Sequence, residues 1–465
     1  MKSTLVVQLF EALDEKERVR LGKFLRSPYF NRRNDVLDLY EWLKSAPVPF
    51  PEHIAREEAW GRIYPGQPFD RVRFNYLMNF LAERIEQFLA MEEMQADRFQ
   101  QRLLRCRAFR QRGLIAHFDT NARELERDHA ASSLRNAGWW LFEYQLQNEM
   151  FARLVMQRRN GPTNLGAATE ALANFFLLEN LRWSATARSF ESLAREAQPP
   201  VPLSPEALRA AAESEHPALA LTHAALSAQT NPDDEAQYRR LKSLLRAHVA
   251  LFPPAEGRDL YMTAINVAIR RHNRGDRAYT REAFELYREA LDAGLLTDNG
   301  LLPKYTYINL LNLAQLTGEH RWARDFLEHG KALLPAPERD NTWRYAQAGY
   351  HFRRSEYEPV LELLRAVDFS EIFIQLDARK MLIRSYYELG EWPALASLLD
   401  SFKAFLRRQK DLGYHRESYL NFARFTQRLM KVSGRKKAPR RQLAQRIQAA
   451  DAVAEREWLL EKLKV

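Results

Sequence analysis

Apolar residues along this chain return every three or four positions rather than every second one, the spacing of amphipathic helices. Leu5, Leu9 and Leu13 fall on one side of a first helix, and Asp14 opens a second one bearing Val19, Leu21, Phe24 and Leu25. The second helix is expected to stop near Ser27, because Pro28 disfavours helix at the residue before it. Asn34 is the expected cap of a third helix with Val36, Leu37, Leu39, Tyr40, Trp42 and Leu43. The run Ala46 to Pro51, with Pro47, Pro49 and Pro51, reads as a stiff loop, and after Pro68 a long helix carries Phe74, Leu77, Phe80, Leu81, Ile85 and Phe88.

From Gln95 to Gln198 the pattern is of long helices with few breakers, and turns are expected at Gly113 and Gly161-Pro162. Trp139, Trp140, Phe142 and Tyr144 form a dense aromatic cluster, best read as helix packing. Pro199, Pro200, Pro202 and Pro205 then mark a joint that no helix interior tolerates. The expected divisions are a helical region at 1–94, a long-helix region at 95–198 and helical hairpins at 204–465, where Pro253-Pro254 and Asn299-Gly300 separate some units.

Within the last region three short stretches look alike: Gly318-Glu319-His320, Ser355-Glu356-Tyr357 and Gly390-Glu391-Trp392. They lie 37 and 35 residues apart (positions 318, 355 and 390), each between two apolar-striped segments. A recurring period of this length signals stacked helical units. In the clearest unit the first helix carries Tyr307, Leu310, Leu311 and Ala314, the second Ala323, Leu327 and Gly330, and Pro335 ends the hairpin. The unit ending near Phe402 carries Leu382, Ile383, Tyr386, Leu395 and Leu399, with Pro393 early in its second helix. Upstream, Ala283, Tyr287 and Ala290 fit the second helix of an earlier unit, after a loop around Asn273 to Thr280.

These units resemble the tetratricopeptide repeat over roughly Asp259 to Leu406. The resemblance implies an all-α protein: a helical N-terminal half, then a tetratricopeptide-like solenoid closed by a helix from about Arg440 to Leu463. It also implies a groove lined by the first helices, presenting Tyr305, Ile308 and Asn312, then Tyr345 and Phe352, then Lys380, Arg384 and Tyr387. The basic set of the family's carboxylate-clamp variety is not matched, so a C-terminal acidic peptide is not specifically implied. Separately, Leu21-Gly22-Lys23-Phe24-Leu25-Arg26-Ser27-Pro28-Tyr29-Phe30-Asn31 resembles the opening of a group of bacterial proteins with no assigned activity. Tyr29 and Phe30 are expected to plug a gap between helices while Asn31 holds the turn.

Composition agrees with helix. Only 17 of 465 residues are Gly, 46% are hydrophobic and 28% charged, an ordinary globular balance. At about 150 residues per domain the length suggests roughly three domains, a rule that stacked repeats escape. The single cysteine excludes an intramolecular disulfide and fits a reducing compartment. No apolar run approaches a membrane span, and the N-terminal apolar stretch is too short for a signal peptide, so a cytoplasmic protein without membrane attachment is expected.

Net charge is +10, from 70 basic against 60 acidic residues, and two stretches concentrate it. Arg98, Arg102, Arg105, Arg107, Arg110 and Arg112 occupy one helix without an acidic residue, with Arg98, Arg102, Arg105 and Arg112 on one side. Arg435, Lys436, Lys437, Arg440 and Arg441 form a loop before the final helix. Either stretch suits a phosphate backbone, although Glu124, Glu126 or Glu149 on the next helices are equally suited to pair with the first. No phosphate loop, His-Glu-x-x-His, paired-cysteine or Gly-x-Ser-x-Gly pattern is present. His216 and His223 lack a second pair of metal ligands, and Cys106 reads as a buried small apolar residue, with Arg105 and Arg107 as the argument for a reactive thiol. The expectation is therefore a non-catalytic protein without cofactor that binds another protein in the groove, with nucleic-acid binding through 98–112 and 435–441 as the alternative.

Overall fold

A computed structural model of the chain describes residues 4–46, 56–157, 163–191, 202–365, 367, 371–409, 412–432 and 437–464. Among them there are 23 α-helices and no β-strand, so the protein is all-α. The loop at 47–51, the turn at Gly161-Pro162 and Pro199-Pro200 lie outside the described residues. The chain divides into two compact units: residues 1–133 with 138–173, and residues 134–137 with 174–465.

The first unit begins with α1 (Leu5–Ala12), α2 (Glu15–Arg26), α3 (Asn34–Ser45), α4 (Arg56–Ile63) and α5 (Arg71–Ala96) around one core. The face of α1 differs from the expected one: Val6, Val7 and Phe10 turn inward with Leu13, and Leu5 is exposed. Val19 is exposed as well, and Gly22 takes the inward position on α2, so close to α3 that an added Cβ would sit 2.5 Å from the Tyr40 hydroxyl. A capping box between Asp14 and Glu17 starts α2, and Ser27 ends it as expected. Asn34 does not cap α3; it is the first helical residue, after Arg33 at the cap. The turn before it is held by buried Asn31, whose amide donates to the Leu25 and Arg33 carbonyls at 3.0 Å each. Phe30 stacks on Phe24 with centroids 4.2 Å apart, but Tyr29 is 87% exposed and plugs nothing.

The same unit continues with α6 (Arg98–Gln111), α7 (Ile115–Ala130), α8 (Ala137–Gln157) and the start of α9 (Leu165–Glu191). Gly113, at φ 71°, makes the turn from α6 to α7. The aromatic cluster packs helices: Trp139 stacks on His129 at 4.2 Å, and Phe142 meets Phe99 edge-on at 5.4 Å.

The second unit is a succession of helices, each packed on its chain neighbour. It runs α10 (Pro205–Ala212), α11 (Pro217–Thr230), α12 (Glu235–His248), α13 (Pro254–Asn273), α14 (Ala278–Asp292), α15 (Lys304–Leu316), α16 (His320–His329), α17 (Arg339–Arg353), α18 (Tyr357–Arg365), α19 (Ile372–Glu388), α20 (Trp392–Arg408), α21 (Gly413–Val432), α22 (Lys437–Ala449) and α23 (Arg456–Glu461). Contacts also join alternate helices: α11 with α13, α15 with α17, and α17 with α19.

The three look-alike stretches are the same bend. Gly318, Ser355 and Gly390 have φ of 80°, 60° and 73°, all left-handed. In each, the next amide reaches back five residues: Glu319 to Ala314, Glu356 to His351 and Glu391 to Tyr386, at 2.8, 3.0 and 2.9 Å. These are left-handed helix terminations, where glycine carries no Cβ penalty. Gly275 makes a fourth such bend between α13 and α14, with φ 103° and Asp276 bonded back to Arg271. What the sequence suggested as an expanded loop at Asn273–Thr280 is therefore a tight turn. Ala283, Tyr287 and Ala290 are buried on α14, and Ala323 is buried on α16, where a small side chain lets the paired helices approach.

The closing element differs from the expected single helix. It is α22, a break at Ala450–Glu455, and the short α23, whose Trp458 and Leu459 complete the last core. No helix among the described residues is long and apolar enough to cross a membrane.

Candidate functional site

The first helices of three successive hairpins, α15, α17 and α19, line an open cavity of about 590 Å³. Its lining includes Asn312 and Gln315 of α15, Gly349, Phe352 and Arg353 of α17, Asp377, Lys380 and Arg384 of α19, and Glu455 from the break before α23. Gly349 has open space around it, so α17 leaves room one turn before Arg353.

Charge in this cavity is incompletely matched. Asp377 forms the floor: its carboxylate accepts from the Tyr345 hydroxyl at 2.6 Å and lies 2.5 Å from Lys380 Nζ, yet 36% of the side chain stays open. Burial alone would push the Asp377 carboxyl up; Lys380, the Tyr345 hydroxyl and Arg353 outweigh it and hold the carboxyl below its usual range. For Lys380 the balance is the same in reverse: burial lowers its pKa, but Asp377 and Glu455 outweigh burial and raise it. Arg384 lies between two rings, 4.6 Å from the Phe352 centroid and 5.3 Å from that of Trp458. Its Nη1 donates to Glu455 at 2.6 Å, while its buried Nε has no partner among the described residues. Gln315 is 9% exposed, and its Oε1 is buried without a hydrogen bond. Arg353 stands exposed at the rim and makes no hydrogen bond or ion pair among the described residues.

Of the groove residues expected from the repeat register, Asn312, Phe352, Lys380 and Arg384 meet in this cavity. The others do not join them. Tyr345 is buried under it as a donor to Asp377. Ile308 lines an adjoining cleft of about 300 Å³, at whose edge the Tyr305 hydroxyl bonds Glu371 and Lys304 pairs with Glu338 and Glu371. Tyr387 packs edge-on against Trp392 and Trp458 at 5.4 and 5.2 Å. Arg353 and Glu455 escaped the sequence reading. Gly349 one turn before Arg353 is a signal that could have found the first and was not used, whereas Glu455 is 71 residues from Arg384 and no local pattern links them.

The basic stretch of α6 is largely matched. Arg102 pairs with Glu124 at 3.0 Å and Asp128 at 2.7 Å, and Arg107 and Arg110 share buried Glu149 at 2.7 and 2.8 Å. Arg98, Arg105 and Arg112 are exposed, and the Arg112 side chain bonds the Ala108 carbonyl. In the second stretch Arg435 and Lys436 lie outside the described residues, and α22 already begins at Lys437, so the rest of the stretch is helix rather than loop. Arg440 donates to the Lys462 and Lys464 carbonyls, and Arg441 is exposed. Cys106 is fully buried, its sulfur 2.8 Å from the Asn121 amide, and burial pushes its thiol pKa up, against the activation its arginine neighbours suggested. His223 is half-buried on α11, and burial lowers its pKa.

No family model matches the chain, and neither a curated protein nor a solved structure matches it.

Proposed function

We propose that the protein is a non-catalytic adaptor that holds a segment of another protein against the first helices of its tetratricopeptide-like hairpins, at the cavity of α15, α17 and α19. The observation that carries this reading is a cavity of about 590 Å³ with the Arg384 Nε and the Gln315 Oε1 buried and unpartnered. Buried polar atoms are nearly always satisfied, and two unsatisfied ones on the wall of one cavity leave bonds there for a ligand or water to make. Equivalent bends at Gly318, Ser355 and Gly390, and the contacts of α15 with α17 and α17 with α19, support a regular array with such a lining face. The polyanion reading has less behind it, since Arg102, Arg107 and Arg110 already face carboxylates.

A photo-crosslinking amino acid at Asn312 tests the reading against one at Arg324, on the second helix α16. In cells, a discrete protein partner is expected to crosslink from position 312 and not from 324. Equal yields from both, or none from 312, contradict it.

A further inference from the structure

Among the described lining residues of the cavity, Glu455 alone comes from neither the hairpin helices nor their turns. It sits in left-handed backbone, φ 54° and ψ 35°, a conformation that side-chain-bearing residues seldom adopt. Val453 and Ala454 before it pack on the last core, and polar contacts do the rest. Its two carboxylate oxygens face Arg384 at 2.6 Å and Lys380 at 3.4 Å, the Ala454 amide bonds the Ser418 carbonyl, and Asn421 bonds the Ala452 carbonyl. Just beyond it, α23 is anchored by Trp458, 4% exposed, and Leu459, fully buried. The helix is fixed, while a carboxylate on a strained link reaches back into the cavity. Even so, the cations there outnumber its bonds: among the described residues Arg353 has no hydrogen bond or ion pair, only longer-range attraction to Asp377 and Glu455, and Arg384 Nε is unpartnered.

Resting on the proposed binding role of this face, we infer that Glu455 is a built-in stand-in for an acidic side chain of the partner, which displaces it to reach Arg384, Lys380 and Arg353. A carboxylate is favoured over a phosphate backbone because the cradle holds two carboxylates of its own, Asp377 and Glu455, and already pairs one of its guanidiniums with a carboxylate.

The test uses the full chain and fluorescein-labelled octaglutamate at physiological salt, where long-range attraction is screened. Glu455→Gln is expected to tighten binding about fivefold by removing the internal competitor, while Arg353→Ala weakens it about tenfold. Glu457→Gln, on the exposed side of α23, changes net charge equally and is expected to leave binding unchanged. Equal affinities for the two glutamine variants overturn the inference, as does an absence of binding in all of them. A labelled octathymidylate that responds to Glu455→Gln as strongly as the peptide also overturns it, in favour of a general anion site. None of these results decides the crosslinking outcome at position 312, so the binding role of the face stands or falls separately.

Discussion

Two regions of this protein are rich in arginine, and they treat it in opposite ways. On α6, Arg102, Arg107 and Arg110 each meet a carboxylate, and Glu149 between two of them is buried. In the α15–α17–α19 cavity, Arg353 makes no ion pair among the described residues and feels Asp377 and Glu455 only from beyond ion-pair distance, and Arg384 is only half used. The denser run of charge in the sequence is the quieter surface. A cation signals binding when its partners are missing, not when its neighbours are also basic, because a matched ion pair has little left to offer a ligand.

That contrast is open to direct attack. The largest effect is expected on the matched side: Glu149→Ala strands Arg107 and Arg110 and is expected to cost about 2–3 kcal/mol, read by chemical unfolding. A loss under about 0.5 kcal/mol would mean those arginines are as free as Arg353. Next comes the cavity floor. Asp377→Asn is expected to cost about 1 kcal/mol at neutral pH. Because the folded carboxyl is held low, its contribution is present above the ordinary carboxylate range and lost as pH falls through the lowered value. The gap between wild type and Asp377→Asn should therefore close below about pH 4; a gap that widens in acid reverses the assignment. Arg353→Ala is expected to shift the unfolding midpoint less than Asp377→Asn while weakening partner capture, since it breaks no hydrogen bond or ion pair among the described residues and removes only longer-range attraction to Asp377 and Glu455. Smallest of all, replacing Arg98, Arg105 and Arg112 together by Ala should change neither stability nor partner capture. Loss of the partner in that triple variant would move the binding surface to α6.

The helical class and the bends at 318 and 390 were legible because a left-handed helix end calls for glycine, and the apolar period on either side is long and regular. Ser355 was found through its neighbours, although it carries the strain that glycine avoids. Gly275 was missed as a bend because the long connector from Asp292 to Lys304 breaks the spacing between its hairpin and the next. Site residues were harder. Helical register places Tyr345 and Phe352 on one side of α17, yet a few tens of degrees separate a lining position from a buried one, and Tyr345 falls on the buried side as the partner of Asp377. Glu455 lay beyond reach, since its place depends on how the chain folds back after Ala449.

The most direct test of the groove as the binding face is hydrogen exchange on the full chain, free and bound to the partner crosslinked from position 312. Slowed exchange is expected in α15, α17 and α19, with α6 and α16 unchanged. Protection of α16, α18 and α20 instead, or of α6 alone, would contradict a partner held in the groove.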